Sequence, residues 1–238
     1  MGKKQSIFLA LGIFYLAMLS LTMIAYGRYM TYQAVEVENA VDICPVFVID
    51  AGHGGEDGGT VSPDGDKESD INLSIAQKIH DMMSLFGQKS IMTRTKDEML
   101  CYENVETIRE RKRIDIQNRV DTINNTENGV LISIHQNYYP SSEPCGAQVL
   151  YNSKAQELAE LLQSQIVSVL DPSNYRPAAK CSDDIYLMAH SNKPSLLIEC
   201  GFLSNPSDKG KLMSDDYRLK LASVITCCIM SYYYDMTY

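Results

Sequence analysis

The stretch Val46-Phe47-Val48-Ile49-Asp50-Ala51-Gly52-His53-Gly54-Gly55 decides the fold, because a short apolar run breaks there into a glycine-rich turn around one histidine. Val46 to Ile49 are β-branched or aromatic, the composition of a strand buried on both faces. The glycines let the backbone turn sharply and approach a ligand closely. A neutral imidazole delivered there can bind a metal, act as acid or base, or simply pack. A single such histidine is more often structural, so its reading depends on what else the chain sends to the same place.

Working outward, the same grammar recurs twice. Val130-Leu131-Ile132-Ser133-Ile134 runs into His135-Gln136-Asn137, and Ser195-Leu196-Leu197-Ile198 ends in Glu199, with Gly201 just beyond. Helical periodicity fills the intervals. From Asp70, apolar residues recur at Ile71, Ile75, Ile79, Met82 and Phe86, with Ser69 or Asp70 as N-cap and Gly87 as terminator. His80 lies off that stripe and reads as a solvated side chain. Lys89 to Thr93 reads as a strand, and Val105 to Asn124 as a charged helix turning Ile116, Val120 and Ile123 to a core. Ala147 to Tyr151 is another strand. Ser153 opens a helix with a Ser-x-x-Gln capping box to Gln156 and apolar Leu158, Leu162, Ile166 and Val169, closed by Pro172. A polar loop over 171–184 leads to Ile185–Met188, and a last helix starts near Ser214. Strands alternating with helices predict an α/β fold with a mostly parallel sheet, in which ligands bind at the carboxyl ends of strands.

With 238 residues, 45% of them hydrophobic, the chain can bury one substantial core. A net charge of −9 without a basic run excludes nucleic acid as a partner, since phosphate binding needs clustered Lys and Arg. Lys3 and Lys4 precede a stretch with no charge until Arg28, which reads as a signal peptide or membrane anchor over residues 1–27. Lysines before it and Glu36, Glu38 and Asp42 after it place the remainder outside the cytoplasm. Residues 28–44 read as a linker, and 45–238 as one catalytic domain. The seven cysteines are an odd number with no CxxC spacing, so most read as small buried residues, Cys227 and Cys228 above all.

If the three strands are neighbours, His53, His135 and Glu199 converge on one cleft. Two imidazoles and a carboxylate form the ligand set of many catalytic zinc sites. Glu68 is the favoured third ligand because it follows the glycine-rich turn, with Asp57, Asp64, Asp66 and Asp70 as competitors on sequence logic. Glu199 ends an apolar run, so burial should raise its pKa and suit it to proton transfer. The bland alternative is a strand-end carboxylate paired with Arg94 or Arg176.

Val-x-Ile-Asp-x-Gly-His-Gly-Gly at 46–55, Lys-Glu-Ser-Asp at 67–70, Thr-Arg-Thr-Lys-Asp at 93–97, Ser-Ile-His-Gln-Asn at 133–137 and Ile-Glu-Cys-Gly-Phe-Leu-Ser-Asn at 198–205 resemble the zinc-dependent N-acetylmuramoyl-L-alanine amidases, in the family's order. The resemblance covers Val46 to the C-terminus. It implies a single α/β domain whose twisted, mostly parallel sheet has helices on both faces. It also implies Zn2+ held by His53, Glu68 and His135, Glu199 as catalytic acid/base, and peptidoglycan stem peptides as substrate. Ala51, Gln136 and Cys200 depart from the commonest pattern without removing a ligand. The short domain, the Ser-Ile-His-Gln-Asn form and the N-terminal segment resemble most the germination-specific amidases of spore-forming bacteria. That subgroup acts on spore cortex, where removal of stem peptides allows muramic lactam to form, and it implies a location in the cell envelope or forespore intermembrane space.

Two rivals stand beside this reading. One is a cysteine hydrolase with Cys200 as nucleophile, weakened because no helix N-terminus follows to lower the thiol pKa. The other is a non-catalytic peptidoglycan-binding or assembly protein of the same fold. The many charges in the site-bearing loops raise an accessory activating protein as a partner. His190, before Pro194, reads as an ordinary loop residue or a groove lining.

Overall fold

The computed structural model describes residues 15, 18–29, 45–62, 64–101 and 105–235, and the chain divides between Cys44 and Pro45 into two units. The first unit is helical at residue 15 and over 18–29, and among the described residues no helix is long and apolar enough to cross a membrane. The rest of the expected signal or anchor, and residues 30–44 of the expected linker, lie outside the described residues.

In the second unit, six strands form one sheet: β1 (Val46–Ala51), β2 (Ser90–Met92), β3 (Gly129–Asn137), β4 (Gln148–Tyr151), β5 (Ala179–Lys180) and β6 (Ser195–Phe202), in the order β2-β1-β3-β6-β4-β5. The first four positions run parallel, with Val48 opposite Ile91 and Leu131, and Ile134 opposite Ile198. β4 runs antiparallel to β6, and β5 follows β4, so the sheet is mixed rather than parallel to its end. The reason is the connection over 138–147, which carries no helix: a parallel return needs a crossover of about a dozen residues or more, whereas a shorter link reverses the strand.

Helices cover both faces. On one side α1 (Glu68–Leu85), α3 (Gln156–Leu170), α5 (Pro206–Met213) and α6 (Asp215–Asp235) enclose Phe47, Ile49, Ile132, Ile134, Ile198 and Cys200 together with Ile75, Ile79, Leu162 and Ile225. On the other side α2 (Ile108–Asn125) and the short α4 (Tyr186–His190) pack Val120, Ile123, Leu187 and Met188 on Val48, Leu131 and Leu197. Each fully buried aliphatic side chain contributes about 1.5–3 kcal/mol relative to exposure.

α1 begins at Glu68, two residues before Asp70, and neither Ser69 nor Asp70 caps it: its first amides, Glu68 N and Ser69 N, donate to Thr60 O and Gly58 O of the preceding loop. Gly87, at φ 72, closes it through Gln88 N on Met83 O. Phe86, expected on the core stripe, is half exposed, because the helix stops at Leu85 and Met83 takes the buried position. The Ser153 capping box does not form: α3 starts at Gln156, and Asn152 holds the turn instead through Lys154 N and Ala155 N. Val169 is exposed on the outer side of that helix. α4 and α5 are not expected from the hydrophobic pattern.

Candidate metal and catalytic site

β1, β3 and β6 lie side by side, so their carboxyl ends deliver side chains into one place. His135 and Glu199 are direct partners across β3 and β6, and His53 leaves β1 just beyond Ala51, the partner of Ile134. Side chains alternate between faces along a strand, which puts Asp50, Ser133, His135, Leu197 and Glu199 together on the face covered by α2 and α4. There Asp50, His135, Leu197 and Glu199 line a cleft of about 290 Å³, with Ile116 and Tyr186 among its walls.

His53 sits at φ 62, a left-handed conformation that costs a non-glycine residue energy and persists only where surroundings impose it. Gly54 N donates to Asp57 O at 2.7 Å, Asp57 N to Gly54 O at 3.0 Å, and Arg119 Nη2 to the His53 carbonyl at 2.7 Å. Arg119, buried, also donates to Asp50 Oδ1 at 2.6 Å, Ala51 O at 2.8 Å and Asp115 Oδ2 at 2.8 Å. Arg94 approaches the same corner through Ala51 O, Gly52 O, Ser69 O and Lys96 O. Two buried guanidiniums thus share the Ala51 carbonyl and fix the turn that carries His53. Burial works against the Asp50 carboxylate, but the Arg119 and His135 charges and hydrogen bonds from Ser133 and Thr93 hold its pKa at about 2.

Glu68 Oε1 lies 3.1 Å from His135 Nδ1 and 3.4 Å from His53 Nε2. One ligand atom from each of these three residues lies within 4.8 Å of the others, a set able to hold a metal ion. Gln136 N, Asn72 Nδ2 and Thr60 N hold the Glu68 carboxylate in place. The remaining nitrogen of His53, Nδ1, faces Asp57 Oδ2 at 2.9 Å, and Asp57 Oδ1 lies 2.6 Å from Lys112 Nζ. Burial opposes a proton on His53, yet hydrogen bonds and charge from Asp57 and Glu68 raise its pKa to about 9. Against the same burial, the imidazoles, with Lys112 at Asp57, hold both carboxyls far below the usual range. The cradle is close-fitting: a Cβ on Gly52 would meet His135 Cε1 at 2.3 Å, and one on Gly59 would meet Glu68 Oε2 at 2.6 Å.

Glu199 differs. Burial pushes its carboxyl up, assisted by the Glu68 charge and opposed by His135, His53 and Arg176. Its Oε2 is buried without a hydrogen-bond partner, which a folded protein rarely tolerates without use. Neither arginine proposed as its partner bonds to it: Arg94 binds carbonyls and Arg176 binds Gln148.

Of the rivals to Glu68, Asp64 and Asp66 pair with Lys209, Asp70 is exposed, and Asp57 backs His53 from the opposite nitrogen. Cys200 points into the other core and burial pushes its thiol up, away from nucleophilic use. His80 is tied to Ser90 Oγ at 2.8 Å, so it links α1 to β2 rather than standing in solvent. His190 is exposed and stacks on Tyr186 at 3.8 Å, and it is Tyr186 that reaches the cleft. Among the described cysteines only Cys200 and Cys228 are buried; Cys227, one position before Cys228, faces outward, and none of these described cysteines is in a disulfide. The Asp50–Arg119–Asp115 cluster, Arg94 and Asn72 were missed. Their only signals were Asp50 inside the organising stretch, the Asp115/Arg119 spacing and the Thr-Arg-Thr run.

The sequence profile of the family described as N-acetylmuramoyl-L-alanine amidase matches residues 47–231, and the chain belongs to that family. Within it, the chain is 39% identical over 193 residues to the germination-specific N-acetylmuramoyl-L-alanine amidase of Bacillus subtilis (strain 168), covering 79% of each chain. The solved CwlD amidase from Clostridioides difficile, in complex with the GerS lipoprotein, is 37% identical with a TM-score of 0.75 over 79% of this chain and 98% of that one. An N-acetylmuramoyl-L-alanine amidase from Clostridium difficile 630 is 32% identical with a TM-score of 0.66, over 79% and 96%.

Proposed function

We propose that this chain is a zinc-dependent hydrolase that cleaves the amide between N-acetylmuramic acid and L-alanine, releasing stem peptides from spore cortex so that muramic lactam can form. The observation that carries the reading is one cleft lined by both imidazoles and by Glu199, whose Oε2 is buried and unpaired, with the Glu68 carboxylate in contact with both rings. His53, Glu68 and His135 would hold the ion. The chemistry that a bound zinc supplies is acidification of water and polarisation of the scissile carbonyl. Glu199, whose raised pKa favours exchange of a proton, takes one from the attacking water and returns it to the leaving amine at the L-alanine nitrogen. Asp57 keeps the His53 ring turned with Nε2 toward Glu68, and the Arg119 clamp keeps the strained turn from relaxing. Leu197, Ile116 and Tyr186 supply a largely apolar wall that limits water in the cleft.

In this reading residues 1–27 export or anchor the chain, 28–44 link it, and 45–238 act on the envelope side. Similarity to an amidase that forms a complex with a lipoprotein supports an accessory protein as partner. The test is to purify residues 45–238, measure zinc, and follow stem-peptide release from peptidoglycan by mass spectrometry, with Glu199→Ala as control. Zinc-dependent release that Glu199→Ala abolishes while zinc stays bound is the expected result. An active variant, or one that also loses the metal, removes the role given to Glu199. Binding of wall fragments without zinc or cleavage would instead favour a binding protein.

A further inference from the structure

A second cavity, about 430 Å³, lies against the strand next to Glu199 and has Gln148, Asn174, Tyr175 and Arg176 among its walls. Gln148 is the β4 partner of Glu199 across the antiparallel pair, so the two side chains share one face of the sheet. Arg176 is fixed from two directions. Its Nε and Nη2 donate to Gln148 Oε1 at 3.2 and 2.8 Å, and its guanidinium stands 4.9 Å from the centroid of the Phe202 ring. Gln148 is itself held, since its Nε2 donates to Pro177 O at 2.9 Å. The Arg176 charge reaches Glu199, yet no carboxylate of the described residues forms an ion pair with it, and Nη1 makes no hydrogen bond among them. The cations on the other side of Glu199 are engaged: Lys112 by Asp57, and Arg119 by Asp50 and Asp115. A guanidinium held rigid with one edge free is suited to a carboxylate, because little side-chain entropy remains to be lost on binding.

We propose that this cavity is the subsite for the peptide half of the scissile bond, with Arg176 binding a free carboxylate on that peptide. The proposal rests on the amidase reading and adds the direction in which the stem peptide leaves Glu199. It makes the enzyme selective for acidic over amidated stem peptides. Tyr175, 92% exposed at the rim, would lie along the bound chain.

The experiment compares two muramoyl-peptide substrates, whose second residue is glutamate with its α-carboxylate free or amidated, on the full-length chain in mild detergent. Arg176→Gln is expected to raise KM for the free acid about 10- to 100-fold, the effect of losing a charge-assisted pair, with kcat changing far less. KM for the amidated substrate should change little, and Arg176→Lys, which keeps the charge but not the fork, should fall between. Equal losses on both substrates, or none on either, overturn the subsite. Calorimetry with the released acidic peptide separates this idea from the reading beneath it. Wild-type binding that Arg176→Gln weakens, without turnover of either substrate, keeps the subsite and sinks the amidase reading; binding indifferent to Arg176 sinks the subsite. If Arg176→Gln fails to fold, Arg176→Lys and Gln148→Ala carry the same comparison.

Discussion

Replacing Arg119 with Met removes the buried clamp on the His53 turn while roughly conserving side-chain volume. Asp50 would keep only Ser133 and Thr93, and the His53 carbonyl would lose its 2.7 Å donor. Breaking a buried ion pair from one side costs about 3–5 kcal/mol, because the partner charge is left uncompensated. The depressed Asp50 carboxyl points the same way: its folded pKa of about 2 lies below the ordinary 3.8, which corresponds to about 2–3 kcal/mol of stability at neutral pH. A depressed carboxyl stabilises the fold above its unfolded pKa and loses that contribution as pH falls through the folded value. The wild-type contribution therefore disappears between about pH 4 and about pH 2. Without Arg119, burial favours the neutral carboxyl, so the variant is penalised most at neutral pH and least in acid. Urea unfolding of residues 45–238 followed by circular dichroism, with chelator present to remove metal linkage, should show a deficit of about 3–5 kcal/mol at pH 7 that shrinks by at least half at pH 3. A deficit below about 1 kcal/mol at pH 7, or one that does not change with pH, refutes the clamp.

Three further outcomes follow from the same geometry. Asp57→Ala should weaken zinc binding about 10- to 100-fold in competition with a chromogenic chelator, because His53 Nδ1 loses its orienting carboxylate; unchanged affinity would show that the turn alone orients the ring. Gly52→Ala should fold, at a cost of about 1–3 kcal/mol, but lose zinc stoichiometrically, since the new Cβ overlaps the His135 ring. Maleimide should modify the exposed Cys145 and Cys227 and leave Cys200 untouched without reducing peptide release, whereas chelation abolishes release; loss of activity on alkylation would return Cys200 to consideration.

The three strands that carry His53, His135 and Glu199 were legible because their signal is local: β-branched runs ending at a polar residue, each within a few positions. The helical stripe from Ile71 was legible for the same reason, though its first turn was not, because loop carbonyls and not a side chain receive its first amides. The reversal of β4 escaped because local composition does not encode strand direction; the absence of a crossover helix does. Among five acidic candidates for the third ligand, residue spacing left the choice open and the family resemblance favoured Glu68. In the fold Lys209 holds Asp64 and Asp66, and Lys112 helps hold Asp57 behind His53.

By itself the sequence determined an α/β domain with two histidines and a glutamate at strand ends, since backbone preference and hydrophobic pattern act between near neighbours. The tertiary structure decided how the Glu68 carboxylate meets both imidazoles, which arginines hold a strained histidine turn, and which guanidinium near Glu199 has no carboxylate partner among the described residues. Those outcomes depend on charges brought together from distant parts of the chain, such as Asp50 with Arg119, where desolvation makes each pairing or its absence energetically decisive.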